Sequence, residues 1–332
     1  MKKWLKYLLT ALAAVVVILL LITVISFARL STATDGALSL SSLLSEVFSG
    51  KTRLKGVTNI LLLGVDNDDG EDFDRRGNAD GIMLVSINTK TRELVLTSFM
   101  RDTKVSIDDY RRDKLTHVYH DDGIELFKEV FEKNFDVHID NYALFNYLDI
   151  IDIVDELGGI DVEIAEEEIP EAEAKIRSVA ELKGLDYVDY LINWYGPGVI
   201  HLNGVQTAGY MRIRPAYGGY DAGRTERTRI VASRLMDKLY KKSLAGKISF
   251  ASTVLSKIET DMTSGDILKI ALHALKLRSY DRISDRVPID GSYTSQNDAN
   301  GYYAVPDFEI NKDHLQKSIY QGVHETVPAE TP

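Results

Sequence analysis

Three charged groups punctuate the sequence where a strand or a helix is expected to end, and each carries a different piece of phosphate chemistry. Asp66 closes the run NILLLGVD, and Asp80 stands in RRGNADG just before the next apolar run. Two carboxylates can hold Mg2+ or Mn2+, hard cations that keep most of their waters and take one or two protein oxygens beside a substrate phosphate. Each would serve equally as a strand or turn cap. Arg101-Asp102 follows in SFMRDT. An arginine fork grips two phosphate oxygens in one plane, and a neighbouring carboxylate can orient it or accept the proton of an incoming hydroxyl. A structural ion pair has the same composition. Lys114 and His117 in KLTHVY lie close enough downstream to face the same mouth. Arg212 and Arg214, a glycine- and tyrosine-rich loop, and Arg224 in DAGRTERTR form the third group. Three arginines around a loop suit a pyrophosphate, whose charge must be held as one phosphate leaves; a solvated basic patch is the plainer reading.

These residues need a scaffold, and the sequence supplies its pieces. NILLLGVD is a short continuous apolar run, the pattern of a central strand buried on both faces. Ile82 to Asn88 and Glu93 to Phe99 flank the turn-rich Asn88-Thr89-Lys90-Thr91, which predicts an antiparallel hairpin and a mixed sheet. Helices are expected over Gly123–Phe135, Tyr147–Leu157 (stopped by Gly158-Gly159), Asn203 to about Arg214, Thr225–Lys242 and Gly265–Leu277 capped by Ser264. Ile160 to Ile164, Ile283 to Ile289 and Tyr302 to Pro306 read as strands, and Asn311 to Gln321 as a last helix. Glu166 to Lys183 is acidic with little apolar stripe, and is expected to be a solvated insertion.

The formal net charge of -11 over 332 residues argues against a nucleic-acid partner, because such proteins gather cations to displace counterions. With no cysteine, disulfides, thiolate metal sites and a cysteine nucleophile are excluded together. The sequence has no Walker A, GxSxG, HExxH or dinucleotide fingerprint, so nucleotide hydrolysis, serine hydrolysis and zinc proteolysis lack support. Residues 1–6 carry Lys2, Lys3 and Lys6; residues 7–28 are uncharged and apolar, roughly 22 residues or about 33 Å of helix, enough to cross a bilayer. The stretch is longer than the apolar core of a cleaved signal, and the lysines before it keep the N-terminus cytoplasmic. The expectation is a single-pass membrane protein whose working domain is extracytoplasmic. It is set off by a stalk over residues 29–56, with a short helix near Ser41 to Phe48.

In order, NILLLGVD, NADGIMLVSIN, LTSFMRDT, KLTHVY, IDNYALFN, IVDELGGIDVEI, HLNGVQTAGYMRIR and GRTERTR resemble the LytR-CpsA-Psr family of bacterial cell-envelope proteins. The resemblance covers residues 57–243 as a catalytic domain, with residues 244–322 packed on it as an extension and residues 323–332 as a flexible tail. It implies a mixed-sheet α/β/α sandwich with an oily pocket for a polyprenyl tail and a rim of arginines for its pyrophosphate. The activity implied is transfer of a teichoic acid, capsule or similar glycan from a polyprenyl-pyrophosphate carrier to peptidoglycan. By position, Asp66 and Asp80 look like the magnesium carboxylates, Arg101, Arg212, Arg214 and Arg224 like the pyrophosphate-binding arginines, and Asp102 sits beside them with Lys114. The family usually has arginine where this chain has Asn78, and often glutamine where it has Thr228; Arg75 or Arg76 is the expected substitute cation for the first. A non-catalytic glycolipid- or wall-polymer-binding scaffold, and a polyprenyl-pyrophosphate hydrolase using the same residues, are the alternatives. Without the magnesium carboxylates the scaffold would lose nothing, and only the acceptor separates the hydrolase.

Overall fold

The computed structural model describes residues 54–66, 77–146, 148–192, 198–213 and 222–324, apart from 264, 265, 268, 271, 272, 274–276, 278 and 300. The expected membrane helix, the expected stalk up to residue 53, most of the expected Gly265–Leu277 helix, and the tail from 325 therefore lie outside the described residues. Among the described residues no helix is long and apolar enough to cross a membrane.

The chain runs β1 (Val57–Asp66), β2 (Asn78–Asn88), β3 (Glu93–Phe99), β4 (Lys104–Ser106), β5 (Arg112–Lys114), α1 (Leu115–Phe135), β6 (Asn141–Asn146), α2 (Asp149–Glu156), β7 (Ile160–Glu163) and α3 (Ile169–Leu182). It continues through β8 (Val199–Leu202), α4 (Gly204–Tyr210), α5 (Ala222–Lys241), α6 (Leu244–Leu255), β9 (Ile258–Thr260), β10 (Asp281–Val287), β11 (Tyr293–Asp298), β12 (Gly301–Pro306) and α7 (Phe308–Leu315).

A six-stranded sheet, ordered β10-β3-β2-β1-β6-β9, is the centre. β1, β2 and β3 are antiparallel neighbours, β6 runs parallel to β1, and β10 runs parallel to β3, so the sheet is mixed as expected. The β2–β3 hairpin is fixed by its turn: the Asn88 side-chain oxygen accepts from the backbone N–H groups of Lys90 and Thr91 at 2.9 and 3.2 Å. Its alternation explains why β1 reads as continuously apolar. Leu61, Leu63 and Val65 turn to one face, packing with Phe99, Phe127, Phe131 and Phe135 beneath α1 and α7; Ile60 turns to the other with Met83, Leu94 and Leu96, against Ala232 and Met236 of α5. Helices thus cover both faces, giving an α/β/α sandwich. Residues beyond Ser243 supply both edge strands, β9 and β10, so the sheet runs past the expected domain limit.

A second lobe is built from α2, β7, β8, α3 and α4 around Ile153, Val154, Ile160, Val162, Ile176, Val179 and Leu202. Here the expectation of a solvated insertion over Glu166–Lys183 is overturned. Ile169–Leu182 is a helix that buries Ala172, Ile176, Val179 and Ala180. Those positions, spaced i, i+4, i+7 and i+8, form one face, but two are alanines, too small to register as a stripe among so many glutamates. α4 lies so close to α3 that a Cβ at Gly209 would fall 2.5 Å from an Ile176 side-chain carbon, and so close to α2 that one at Gly204 would fall 2.2 Å from the Ile151 carbonyl oxygen. Glycine is what permits both approaches.

Other boundaries shift for local reasons. α1 begins at Leu115 rather than Gly123; Asp122 and Gly123, the latter at φ 75°, are a kink within it. α4 stops at Tyr210, short of the arginines, although Asn203 and Gln206 form the expected N-terminal cap reciprocally at 3.0 Å each. α7 passes into a wider turn over Gln316–Gln321 that ends on Gly322 at φ 67°.

Candidate active site

The carboxyl end of β1 and the start of β2 are where the sheet is deliberately irregular. Gly64 pairs with Gly81, but Val65 pairs with Ala79, so Asp80 stands unopposed in a β-bulge. A bulge re-aims the extra side chain out of the ladder. One rung beyond Val65 and Ala79, the backbone of Asp66 is registered opposite Asn78, which places both aspartate positions at the same end of the ladder.

β3 delivers the next pair. Its end turns tightly, with the Thr103 hydroxyl and N–H both donating to the Met100 carbonyl at 2.6 and 3.1 Å. The chain then folds back as the β4–β5 hairpin, so α1 starts against the same turn: Leu115 N–H donates to Thr103 O at 2.9 Å and Thr116 N–H to Arg101 O at 3.0 Å. Four charges meet there. Arg101 Nη1 donates to Asp80 Oδ1 at 2.7 Å, Arg101 Nε lies 3.7 Å from Asp102 Oδ2, and Lys114 Nζ lies 3.0 Å from Asp102 Oδ1. The Thr116 hydroxyl donates to Asp80 Oδ1 at 3.4 Å. Asp80, Asp102 and Lys114 are 14, 12 and 13% exposed at the side chain and Arg101 23%, so the cluster is half-sheltered yet reachable. A row of alternating charge at such a rim is held rigid by its own neighbours, and can exchange a carboxylate partner for an incoming phosphate without reorganising the sheet.

Beneath the cluster lies a contribution from the far end of the chain. β12 joins this turn through Thr103 and Ala304, with Ala304 N–H donating to Asp102 O at 3.0 Å. Tyr303 beside it puts its ring 5.3 Å from Lys114 Nζ and 4.8 Å from Lys104 Nζ.

Of the residues expected to act, Asp80, Arg101, Asp102 and Lys114 are brought together. His117 is not: its imidazole pairs with Asp113 at 3.1 Å on the outer side of α1. Arg212 lies just beyond α4, its N–H donating to the Gly209 carbonyl at 3.0 Å. Arg75, Arg76, Arg214 and the side chains of Asp66 and Arg224 lie outside the described residues. The arginine segment nevertheless has a visible support that the sequence reading passed over. Buried Arg227 donates Nη1 to the Ile213 carbonyl, between Arg212 and Arg214, at 3.1 Å, and pairs through Nη2 with Glu168. Its guanidinium lies 5.7 Å from the ring of Tyr210, whose phenol burial pushes above its usual range. Arg227 sits one turn after Arg224, so α5 is tied to the Arg212–Arg214 segment at its start. An arginine three residues past another in a helical segment was the available signal.

The LytR_cpsA_psr family model matches residues 25–318. The chain belongs to the LytR-CpsA-Psr family. The match extends past the 57–243 span of the sequence motifs at both ends, taking in the edge strands β9 and β10. Among its relatives is the polyisoprenyl-teichoic acid–peptidoglycan teichoic acid transferase TagU of Bacillus licheniformis, 28% identical over 71% of this chain and 71% of that protein. TagV of Bacillus subtilis, named for the same transfer, is 26% identical over 88% of this chain and 70% of its own length. The structure of TagT bound to LIIa-WTA superposes with a TM-score of 0.61 at 22% identity, covering 81% of this chain and 92% of that one, and establishes the shared fold.

Proposed function

We propose that this family member transfers a glycopolymer, of the teichoic acid or capsule kind, from a polyprenyl-pyrophosphate carrier to a peptidoglycan hydroxyl, outside the cell membrane to which residues 7–28 tether it. The observation that carries the reading is the meeting of Asp80, Arg101, Asp102 and Lys114, from three separated stretches of chain, at one sheet rim. The activity printed in the names of its relatives agrees with it.

In this reading the acceptor hydroxyl attacks the phosphorus that bears the glycan. A new O–P bond forms, the bond between the two phosphates breaks, and polyprenyl phosphate leaves. Asp102, next to Arg101 and Lys114, is placed to accept the hydroxyl proton, since its two oxygens are already oriented by those cations. Arg101 and Lys114 hold phosphate oxygens as charge grows, joined by Arg212, Arg214, Arg224 and, on the Asn78 side, Arg76. Asp66 and Asp80 are two hard oxygen donors at the same end of the β1–β2 ladder, which fits Mg2+ or Mn2+ taking its remaining ligands from water and substrate. When bound, that ion would neutralise phosphate charge and polarise the phosphorus under attack.

The test is transfer from a purified lipid-linked glycan to peptidoglycan fragments by the full chain. Arg101→Ala should lower kcat by roughly 10²- to 10³-fold, the size of loss seen when one transition-state donor is removed. Unchanged transfer in that variant, with normal thermal unfolding, would sink the proposal. Lipid phosphate released to water, with none of the polymer joined to peptidoglycan, would favour the hydrolase instead.

A further inference from the structure

The hairpin that leaves the active-site turn carries cations that the cluster does not use. β4 and β5 pair Lys104 with Lys114, Val105 with Asp113, and Ser106 with Arg112. Side chains two apart on a strand share a face, so Lys104, Lys114 and Arg112 line one side of the hairpin while Val105 is buried on the other. The shared face is confirmed at its base, where both lysines reach the ring of Tyr303. Arg112 lies two pairs further outward, about 7 Å along the strand.

What distinguishes this row is its lack of counter-charge. Lys114 has Asp102, but Lys104 donates only to the neutral amide oxygen of Gln296 at 3.2 Å, and exposed Arg112 makes no ion pair or side-chain hydrogen bond among the described residues. In a chain of net charge -11, carboxylates are the common surface charge, and two neighbouring cations left without them are held available for something anionic.

The hairpin tip shows the same preparation. Tyr110 is 99% exposed, yet its loop is rigidly braced. Asp108 Oδ1 accepts from the N–H groups of Tyr110 and Arg111 at 2.9 and 2.7 Å, and Arg111 Nη1 donates to Asp121 of α1 at 2.7 Å. Asn134 clamps Ser106 by two backbone hydrogen bonds, at 2.9 and 2.8 Å. An exposed aromatic ring on a loop whose backbone is already ordered offers a stacking face for a sugar at little backbone entropic cost.

We propose that the outer face of the β4–β5 hairpin is a rail for the anionic part of the donor polymer. Lys104 and Arg112 pair with successive phosphodiester groups beyond the pyrophosphate, and Tyr110 stacks on a sugar or polyol unit further out. This rests on the transferase reading and deepens it: the rail discriminates donors by the charge and length of their polymer, not by their lipid. The row is cationic rather than apolar, which favours an anionic polymer over an uncharged glycan strand.

The experiment uses the full chain and two lipid-linked donors: a poly(glycerol phosphate) chain of about ten units, and the same linkage unit carrying none. Binding of lipid-free poly(glycerol phosphate) and of a neutral chitooligosaccharide is measured alongside as a function of salt. Lys104→Gln with Arg112→Gln should raise KM for the long donor about tenfold, as two exposed charge contacts allow, leaving kcat and the short donor unchanged. The same variant should bind free poly(glycerol phosphate) more weakly and with a shallower salt dependence. Equal effects on long and short donors, or none on either, overturn the rail. So does binding of the neutral oligosaccharide that Tyr110→Ala abolishes, which would make the hairpin an acceptor shelf. Because polymer binding is read without turnover, a wild-type chain that binds poly(glycerol phosphate) but transfers nothing defeats the transferase reading while leaving the rail standing.

Discussion

The sheet and the second lobe position their charged residues with different materials. The sheet side is packed with aromatics: Phe99, the last residue of the strand that leads into Arg101, meets Phe131 and Phe135 edge-on at 4.6 and 4.8 Å. Its charges sit on a bulge and a strand end, each within a residue or two of a hydrogen-bonded ladder. The lobe is packed by branched aliphatics around a seven-residue helix, and its arginines follow that helix in a segment held from the side by Arg227. The contrast teaches that the cluster of Asp80, Arg101, Asp102 and Lys114 stands directly on the hydrogen-bonded sheet, whereas the segment after α4 is held at Ile213 by the buried side chain of Arg227.

Substitution in the two cores offers the largest break of this contrast. Phe131→Ala should cost about 4 kcal/mol of unfolding free energy, and Ile176→Ala about 3, both within the range for large-to-small changes in a core. In chemical denaturation the first should lower transfer only in proportion to the unfolded fraction. The second should also raise KM for the lipid-linked donor, because α3 positions the arginine segment through α4. Equal KM in the two variants would erase the distinction between rigid and tethered halves.

A sharper probe is the tether itself. Arg227→Ala leaves the Glu168 carboxylate and the Ile213 carbonyl without their buried partner, at a cost of about 2 kcal/mol. Donor KM should rise severalfold while Arg101-dependent kcat is retained. Loss of kcat at constant KM would show that Arg227 reaches the reaction itself.

The smallest effect concerns the edge strand that completes the sheet. Burial pushes Asp285 of β10 upward, but His314 at 2.8 Å, the Arg286 N–H and the Ser318 hydroxyl outweigh it and hold its carboxyl below the usual range. A depressed folded-state pKa gives stability that is present above the unfolded value, near 4, and lost as pH falls through the folded one. Asp285→Asn should therefore cost about 1 kcal/mol at neutral pH and flatten the acid limb below about pH 4. An unaltered acid limb in thermal melts of the variant would remove Asp285 from the account.

How much of this was legible before folding follows from the range of each interaction. The β2–β3 hairpin and the Asn203 cap were readable because their determinants lie within four residues. The charged pairs at strand ends were readable as candidates, and Asp80, Arg101, Asp102 and Lys114 do meet. Thr116 and Tyr303 were not, since a hydroxyl and a ring beside a charged cluster have no local signature, and Tyr303 arrives from about two hundred residues away. α3 was missed because its buried face is half alanine, and the parallel pairing of β10 with β3 could not be read because parallel partners share no turn.

The bulge at Asp80 has a consequence for how such proteins can diverge. Because side chains alternate along a strand, one inserted or deleted residue between Gly81 and Asn88 would swap the inward and outward sets and dismantle two cores at once. The same change between Asp66 and Asn78 would only lengthen or shorten the connection while the rim kept its aspartates. Drift in length is therefore more tolerable between the two strands than within either of them, where it would scramble both cores.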